Sequence, residues 1–128
     1  MMIKFSEKAR EQYDNLSVAD KERMDMVFQL YEECVPEPEI GIVYPNIFNL
    51  MFSGVPALGV SPRKAYLSFY VASVETLKIF RDHMSELGKV NKGVGCLRFR
   101  KMSDINFDTL REIFTLMGQS QHSVLYGL

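Results

Sequence analysis

The sequence of 128 residues has no tryptophan, only two cysteines and only two histidines. Cys34 and Cys96 lie far apart and form no CxxC pair, which excludes a disulfide-rich scaffold and a cysteine-based zinc motif. Two free thiols in a reducing compartment are the simplest interpretation, and one disulfide between them is the alternative. His83 and His122 have no metal-ligand spacing with either cysteine. Neither histidine has an acidic or nucleophilic neighbour in the pattern, so we expect neither to act as a general base.

Long apolar runs are also missing. No segment approaches the roughly 20 consecutive apolar residues that span a bilayer, and residues 1–5 lack the apolar stretch of a signal peptide. We therefore expect a cytoplasmic protein with no membrane partner. The composition, 47% hydrophobic and 24% charged, is typical of a globular chain, and the length suits one domain. We expect this domain over residues 1–118, followed by a docked or mobile tail over residues 119–128.

The net charge of −1 conceals an uneven distribution of charge along the chain. Residues 1–40 contain ten acidic and five basic residues, whereas residues 41–128 contain six acidic and ten basic residues. The first part therefore carries a charge of −5 and the second part +4. Such an asymmetry can orient a charged partner. An isoelectric point near 6.1 and the lack of an extended basic run argue against a nucleic-acid partner.

The spacing of apolar residues predicts four helices and five strands. The helices are expected over 5–16, 17–34, 74–87 and 107–117, with Ser17 and Ser73 as N-caps and Pro36 and Gly88 near the ends. The strands are expected over 39–44, 47–53, 56–60, 64–71 and 96–101, and residues 88–95 as a loop. The order α-α-β-β-β-β-α-β-α indicates an α+β two-layer sandwich, with helices on one face of a mainly antiparallel sheet.

Alternation along the last two predicted strands gives the sheet an inner and an outer face. The residues expected to face the helices are Ala65, Leu67, Phe69, Val71, Leu97 and Phe99. The residues expected on the outer face are Tyr66, Tyr70, Arg98 and Arg100. An aromatic and cationic surface of this kind can bind an anionic or planar ligand, pair two subunits or stack nucleic-acid bases. The alternative is an ordinary amphipathic sheet face.

Four strings carry a family resemblance: residues 36–40 leading into Tyr44-Pro45, then residues 54–59, 64–70 and 92–99. Together with the element order, they resemble the YdhG-like domain-of-unknown-function family, some of whose members are described as frataxin-like iron chaperones. The resemblance covers roughly residues 8–117. It departs from the family at Tyr44-Pro45-Asn46, where Tyr-Gly is often followed by Met-Pro, and at Tyr66, where the family often has His.

The resemblance implies a two-layer fold and a non-enzymatic binding function, with weakly bound iron as the cofactor or cargo. Hard cations prefer carboxylate oxygens, so acidic side chains of the first two predicted helices are the candidate ligands. These residues are Glu7, Glu11, Asp14, Glu22 and Asp25. The alternative is a solvated helix surface, because Lys8, Arg10, Lys21 and Arg23 interrupt the acids.

A second candidate site is the glycine-rich loop, where Lys89, Lys92, Gly93 and Gly95 could present cations and backbone N–H groups to a small anion. The loop lacks the Lys-Ser or Lys-Thr pair of a phosphate-binding P-loop and leads into a strand, so a helix-to-strand connection is the alternative. No nucleophile, base and orienting group can be assembled from the sequence, and we do not expect an enzyme. The alternative to iron handling is a small-ligand or protein-interaction module, with homodimerisation included, that uses the outer sheet face.

Overall fold

A computed structural model describes residues 2–93 and 95–123, and within them the predicted α+β class is confirmed. The four described α-helices are α1 (Glu7–Asp14), α2 (Val18–Cys34), α3 (Val74–His83) and α4 (Phe107–Gln119). The seven described strands are β1 (Lys4–Phe5), β2 (Glu39–Ile42), β3 (Phe48–Phe52), β4 (Val55–Pro62), β5 (Leu67–Val71), β6 (Asn91–Gly93) and β7 (Cys96–Phe99). Among these residues no helix has both the length and the apolar character needed to cross a membrane.

One sheet contains all the described strands, in the order β1-β2-β3-β4-β5-β7-β6. Every pairing is antiparallel except β1 with β2, which is parallel. Strands β2 to β5 follow one another as a meander because their connections are short. Helix α3 separates β5 from the last two strands, and α4 packs against α2 and α3. The β7–β6 pair therefore forms one edge of the sheet.

Two short strands, β1 and β6, are absent from the predicted order. Strand β1 has two residues and is held by backbone hydrogen bonds from Lys4 N to Pro38 O and from Ser6 N to Ile40 O, each 2.9 Å long. Strand β6 has the sequence Asn-Lys-Gly, and all three residues are exposed. Neither segment has an apolar alternation to reveal it. Strand β1 depends on pairing with β2, far along the chain, whereas β6 is a short, exposed strand that pairs with the neighbouring β7.

The predicted N-caps are observed, whereas several element ends differ. Ser17 Oγ accepts a hydrogen bond from Asp20 N, and Ser73 Oγ accepts one from Thr76 N, both at 3.1 Å. Helix α3 ends at His83 and continues as a 3-10 turn over Met84–Glu86. Gly88 then has φ +125°, and a Cβ atom at this position would lie 1.9 Å from the Asp104 carbonyl oxygen. Only glycine fits this crossing of two backbone segments.

Strand β5 begins at Leu67, three residues later than predicted. The cause is a turn in which Arg63 N donates to Tyr66 O at 2.8 Å. Ala65, which was expected to face the helices, is exposed in this turn. Strand β7 ends at Phe99, so Arg100 and Lys101 lie just beyond the sheet. The predicted strand bounds were wrong at these two ends because turn geometry, and not alternation, sets them.

The core is dominated by aromatic rings, and Tyr31 is its largest fully buried side chain. The Tyr31 ring meets Phe52 edge-on at 5.2 Å and Phe114 at 6.4 Å between centroids. Its hydroxyl group lies 2.8 Å from Glu39 O and 2.5 Å from Met51 O, to which it can donate, and it accepts from Glu39 N at 2.9 Å. Burial raises the pKa of Tyr31 to about 12. This hydroxyl therefore ties α2 to both β2 and β3.

Replacing Tyr31 with phenylalanine should lower the free energy of unfolding by about 1–3 kcal/mol, because the backbone groups of Glu39 and Met51 lose a buried partner. Urea unfolding at pH 7 measures the change. The control is Tyr44→Phe, since the Tyr44 side chain is 54% exposed, and its stability should equal that of the wild type. Equal stabilities of the two variants would contradict the role of the Tyr31 hydroxyl.

Candidate functional site

Aromatic and guanidinium groups interleave on the outer face of β5 and β7. Arg98 pairs with Ser68 across the two strands, and its guanidinium carbon lies 5.2 Å from the centre of the Tyr66 ring. The Tyr70 hydroxyl accepts a hydrogen bond from Arg63 Nη2 at 3.1 Å. Each ring is thus paired with a cation, an arrangement that holds the guanidinium groups close to the sheet while leaving Arg98 exposed.

A cleft of about 660 Å³ continues this face at the β7–β6 edge. Its charged residues are Lys89, Arg100, Lys101 and Asp104, and Ala65 and Asn91 also line it. The cleft exists because Lys89 N donates to Asp104 O at 2.9 Å, which holds the segment before β6 beside the segment after β7. Lys89 is therefore brought to Arg100, Lys101 and Asp104, so that three cations and one carboxylate line the cleft. We call these four charged residues the basic cleft.

The bases of this surface remain available for a ligand. None of Arg63, Lys89, Arg98, Arg100 and Lys101 takes part in the ion pairs formed within residues 2–93 and 95–123. We use the term basic sheet face for Tyr66, Tyr70, Arg63, Arg98 and the basic cleft together. Its charge is positive although the whole chain carries −1. An anion approaching this face meets an excess of donors that prefer carboxylate or phosphate oxygens.

The other half of the outer face, formed by β3 and β4, is covered by a chain segment. Ile47 lies over Gly59, where an added Cβ atom would come within 2.7 Å of Ile47 Cγ2. The hydroxyl of Ser61, which lies two residues after Gly59 on β4, donates a hydrogen bond to Asn46 O at 2.6 Å. The segment between β2 and β3 therefore shields β3 and β4. Only the part of the outer face formed by β5, β7 and β6 presents the basic surface.

Two buried polar atoms on the outer face lack a hydrogen-bond partner within the described residues. They are Asn49 Nδ2 and Ser68 Oγ. Ser68 lies between Ser61 and Arg98 in the strand register, with Tyr66 and Tyr70 two residues away on the same face. The hydroxyl of Ser68 is thus a free donor at the centre of the aromatic and cationic residues.

The candidate iron ligands do not converge. Glu7, Glu11, Asp14 and Glu22 are exposed, and Asp25 is partly buried. Asp25 accepts a hydrogen bond from the Tyr13 hydroxyl at 2.6 Å, and Asp14 lies 4.0 Å from Arg10. Residues 2–93 and 95–123 contain no group of three or more His, Cys, Asp or Glu side chains that could hold a metal ion. Iron binding, which the family resemblance implies, stays a prediction.

The glycine-rich loop does not form one anion cradle. Asn91 to Gly93 form β6, where alternation turns Lys92 to the helix side of the sheet, whereas Lys89 precedes the strand and is held beside Asp104. Lys89 lies in the basic cleft, whereas Lys92, together with Gly93 and Gly95, lines a different cavity on the helix side of the sheet. Sequence reasoning missed Arg63 and Lys101, which belong to the basic sheet face. Lys101 could have been found from the sequence because it follows Arg100 directly. Arg63 could not, because alternation does not predict the turn that positions it.

The cysteines and histidines have structural partners. Both cysteines are free thiols, and Cys34 Sγ lies 3.7 Å from Arg111 O. The expectation that the histidines lack nucleophilic or acidic neighbours was wrong. His122 Nδ1 lies 2.9 Å from Ser73 Oγ, and its Nε2 donates to Met117 O at 2.7 Å. Because Ser73 is wholly buried and caps α3, this pair fastens the chain after α4 and offers no accessible nucleophile.

His83 packs between α3 and α4. Its Nδ1 donates to Ile79 O at 2.8 Å, and Glu112 Oε1 lies 3.4 Å from Nε2. The Ile79 carbonyl, assisted by Glu112, raises the pKa of His83 above its ordinary value of 6.5. A raised pKa contributes stability that is full below pH 6.5 and is lost as the pH rises through the folded-state pKa.

Comparison of the chain with protein-family models, curated proteins and solved structures found no match. The resemblance to the YdhG-like family therefore stays a prediction, and the function has to be argued from the surface itself.

Replacing Ser68 with alanine should leave the free energy of unfolding unchanged or raise it by up to about 1 kcal/mol, because the buried hydroxyl has no partner to lose. Ser61→Ala is the matched variant, since Ser61 is equally buried, faces Ser68 across the strands and loses a hydrogen bond. It should lower the free energy by about 1 kcal/mol. Chemical unfolding measures the free energy of unfolding of both variants. An equal decrease in the two would contradict the absence of a hydrogen-bond partner for the Ser68 hydroxyl.

Replacing Glu112 with glutamine should lower the pKa of His83 below its wild-type value, because the neutral amide no longer favours the imidazolium ion. The wild type should also lose stability between pH 6.5 and the raised pKa, and the variant should lose less. NMR shifts of the imidazole carbon-bound protons give the pKa. Glu33→Gln, which removes the partner of Arg111, is the control, and an identical effect of both changes would count against the pairing.

Proposed function

We propose that this chain is a non-enzymatic binding domain whose basic sheet face holds a small ligand bearing a phosphate or carboxylate group. The basic cleft is the observation that carries the proposal. It brings Lys89, Arg100 and Lys101 around a volume of about 660 Å³, opposed by the single carboxylate of Asp104. Clefts of this size accommodate small ligands, and convergent cations supply their orientation.

Cation geometry favours an oxyanion as the bound group. The guanidinium of Arg100 can donate two parallel hydrogen bonds to one carboxylate or phosphate, and the two lysines add mobile point charges. Asp104 sets a limit on where the anion can sit, because its carboxylate repels a ligand oxygen placed beside it. The anionic group should therefore lie on the Arg100 side of the cleft.

The stacked pair of Tyr66 and Arg98 extends the site along the sheet. A planar group attached to the anion could stack on the exposed Arg98 guanidinium or replace it on the Tyr66 ring, since the guanidinium and the ring are both planar and delocalised. A ligand longer than a bare anion would thus have further groups to contact.

Self-association through this face is disfavoured by charge. In an isologous dimer each residue faces its own copy or a neighbour on the same patch. Arg98, Arg100 and Lys101 would then meet the same cations of the second chain, and like charges that lose water on contact repel one another. The proposal therefore assigns the face to an oppositely charged ligand and not to a second copy of the chain.

The proposal is tested by titrating the full chain with inorganic pyrophosphate at low salt and following amide NMR shifts. Saturable shifts are expected at Lys89, Asn91 and residues 98–104, and they should weaken as salt is added. The double variant R100Q/K101Q should raise the dissociation constant about tenfold or more, because it removes two charge-assisted contacts.

Lys78→Gln is the matched control, since Lys78 is an exposed lysine on α3 that does not line the basic cleft. It should bind pyrophosphate as the wild type does. Equal affinities of R100Q/K101Q and Lys78→Gln, or shifts spread evenly over all lysines, would overturn the proposal. The Arg98→Gln variant separates the two parts of the face, and we expect it to affect planar phosphate ligands more than pyrophosphate.

A further inference from the structure

A second cavity lies on the opposite side of the sheet, between α3 and the β7–β6 edge. Its volume is about 530 Å³, within the usual range for small-ligand pockets. Phe80 of α3 packs edge-on against Phe69 of β5, with 6.3 Å between ring centres. Beyond that contact, residues of α3 and of the β7–β6 edge line a common space. The cavity is this space.

The lining is apolar at its base. Phe80 and Leu97 belong to the buried core, and Val71 is 8% exposed. Leu77 of α3 and Met84 of the 3-10 turn that follows it are only partly buried, although both pack against the core. Apolar side chains of this kind favour an apolar occupant, since covering them removes hydrocarbon surface from water.

Two basic side chains lie at the rim of the same cavity. Arg81 projects from α3, and Lys92 pairs with Leu97 across β6 and β7, which places it on the helix side of the sheet. Both residues are exposed. No acidic residue lines the cavity within residues 2–93 and 95–123, and neither cation joins an ion pair there. The rim is therefore positive and the interior is hydrocarbon-like.

We propose that this cavity binds a small amphipathic carboxylate, with an aliphatic chain between α3 and the sheet and the carboxylate between Arg81 and Lys92. Charge complementarity selects the head group, since one carboxylate can accept from both cations. The apolar base selects the tail, because a wholly polar anion would leave Leu77 and Met84 uncovered. This site is independent of the basic sheet face, from which the sheet itself separates it.

The test uses octanoate as the probe and the full chain, with amide NMR shifts and calorimetry as readouts. Saturable binding of one octanoate is expected, with shifts at residues 77–84 and at Gly93, Gly95 and Leu97. The double variant R81Q/K92Q should raise the dissociation constant about tenfold, because the carboxylate loses both charged partners. Leu77→Trp should abolish binding by filling the cavity.

Lys78→Gln serves as the control, since Lys78 is a cation on the same helix outside the cavity lining. R100Q/K101Q should bind octanoate normally, which distinguishes failure of this site from failure of the basic cleft. The neutral analogue 1-octanol, measured on the wild-type protein, tests the head group without any substitution and should bind at least about tenfold more weakly. Equal binding of octanoate and 1-octanol, octanoate shifts confined to the basic cleft, or no saturable shift would each overturn the proposal.

Discussion

The attachment of α2 to the sheet through Tyr31 is the constraint on which the rest of the structure depends. A ring buried against Phe52 and Phe114 supplies apolar contact, while its hydroxyl satisfies backbone groups of β2 and β3. An apolar ring alone would allow the helix to slide along the sheet. The hydroxyl fixes one position, because a buried carbonyl without a partner is costly.

Once α2 is fixed, the two faces of the sheet differ in chemistry. Helices remove the inner face from water, and its row of apolar side chains forms the core with them. On the outer face, the segment carrying Ile47 covers β3 and β4. Arg98 of β7 and the bases that flank β5 and β7 are left at the remaining part of that face, where solvent can hydrate them. The positive surface is therefore a consequence of how the core is closed elsewhere in the chain.

Both proposed sites lie at the β7–β6 edge, on opposite faces of the same short strands. The alternation of side chains along β6 explains the separation. Lys92 pairs with Leu97 and lies on the helix side, whereas Asn91 pairs with Arg98 and lies on the outer side. Lys89, just before β6, joins the outer group through its backbone contact with Asp104. One glycine-rich segment thus contributes to two sites of different character: an open cationic cleft and an apolar cavity with a cationic rim.

The sequence by itself determined the order of the α-helices, the N-caps Ser17 and Ser73, and the facing of Phe69 in β5. These features follow from local periodicity and from hydrogen bonds between residues three positions apart, so neighbouring residues are sufficient to specify them. Tertiary structure alone decided the pairing of β1 with β2, the cover over half the outer face, and the placement of Lys92 and Arg81 at one cavity. Each of these depends on backbone contacts or packing between segments distant along the chain, and no local pattern records such contacts.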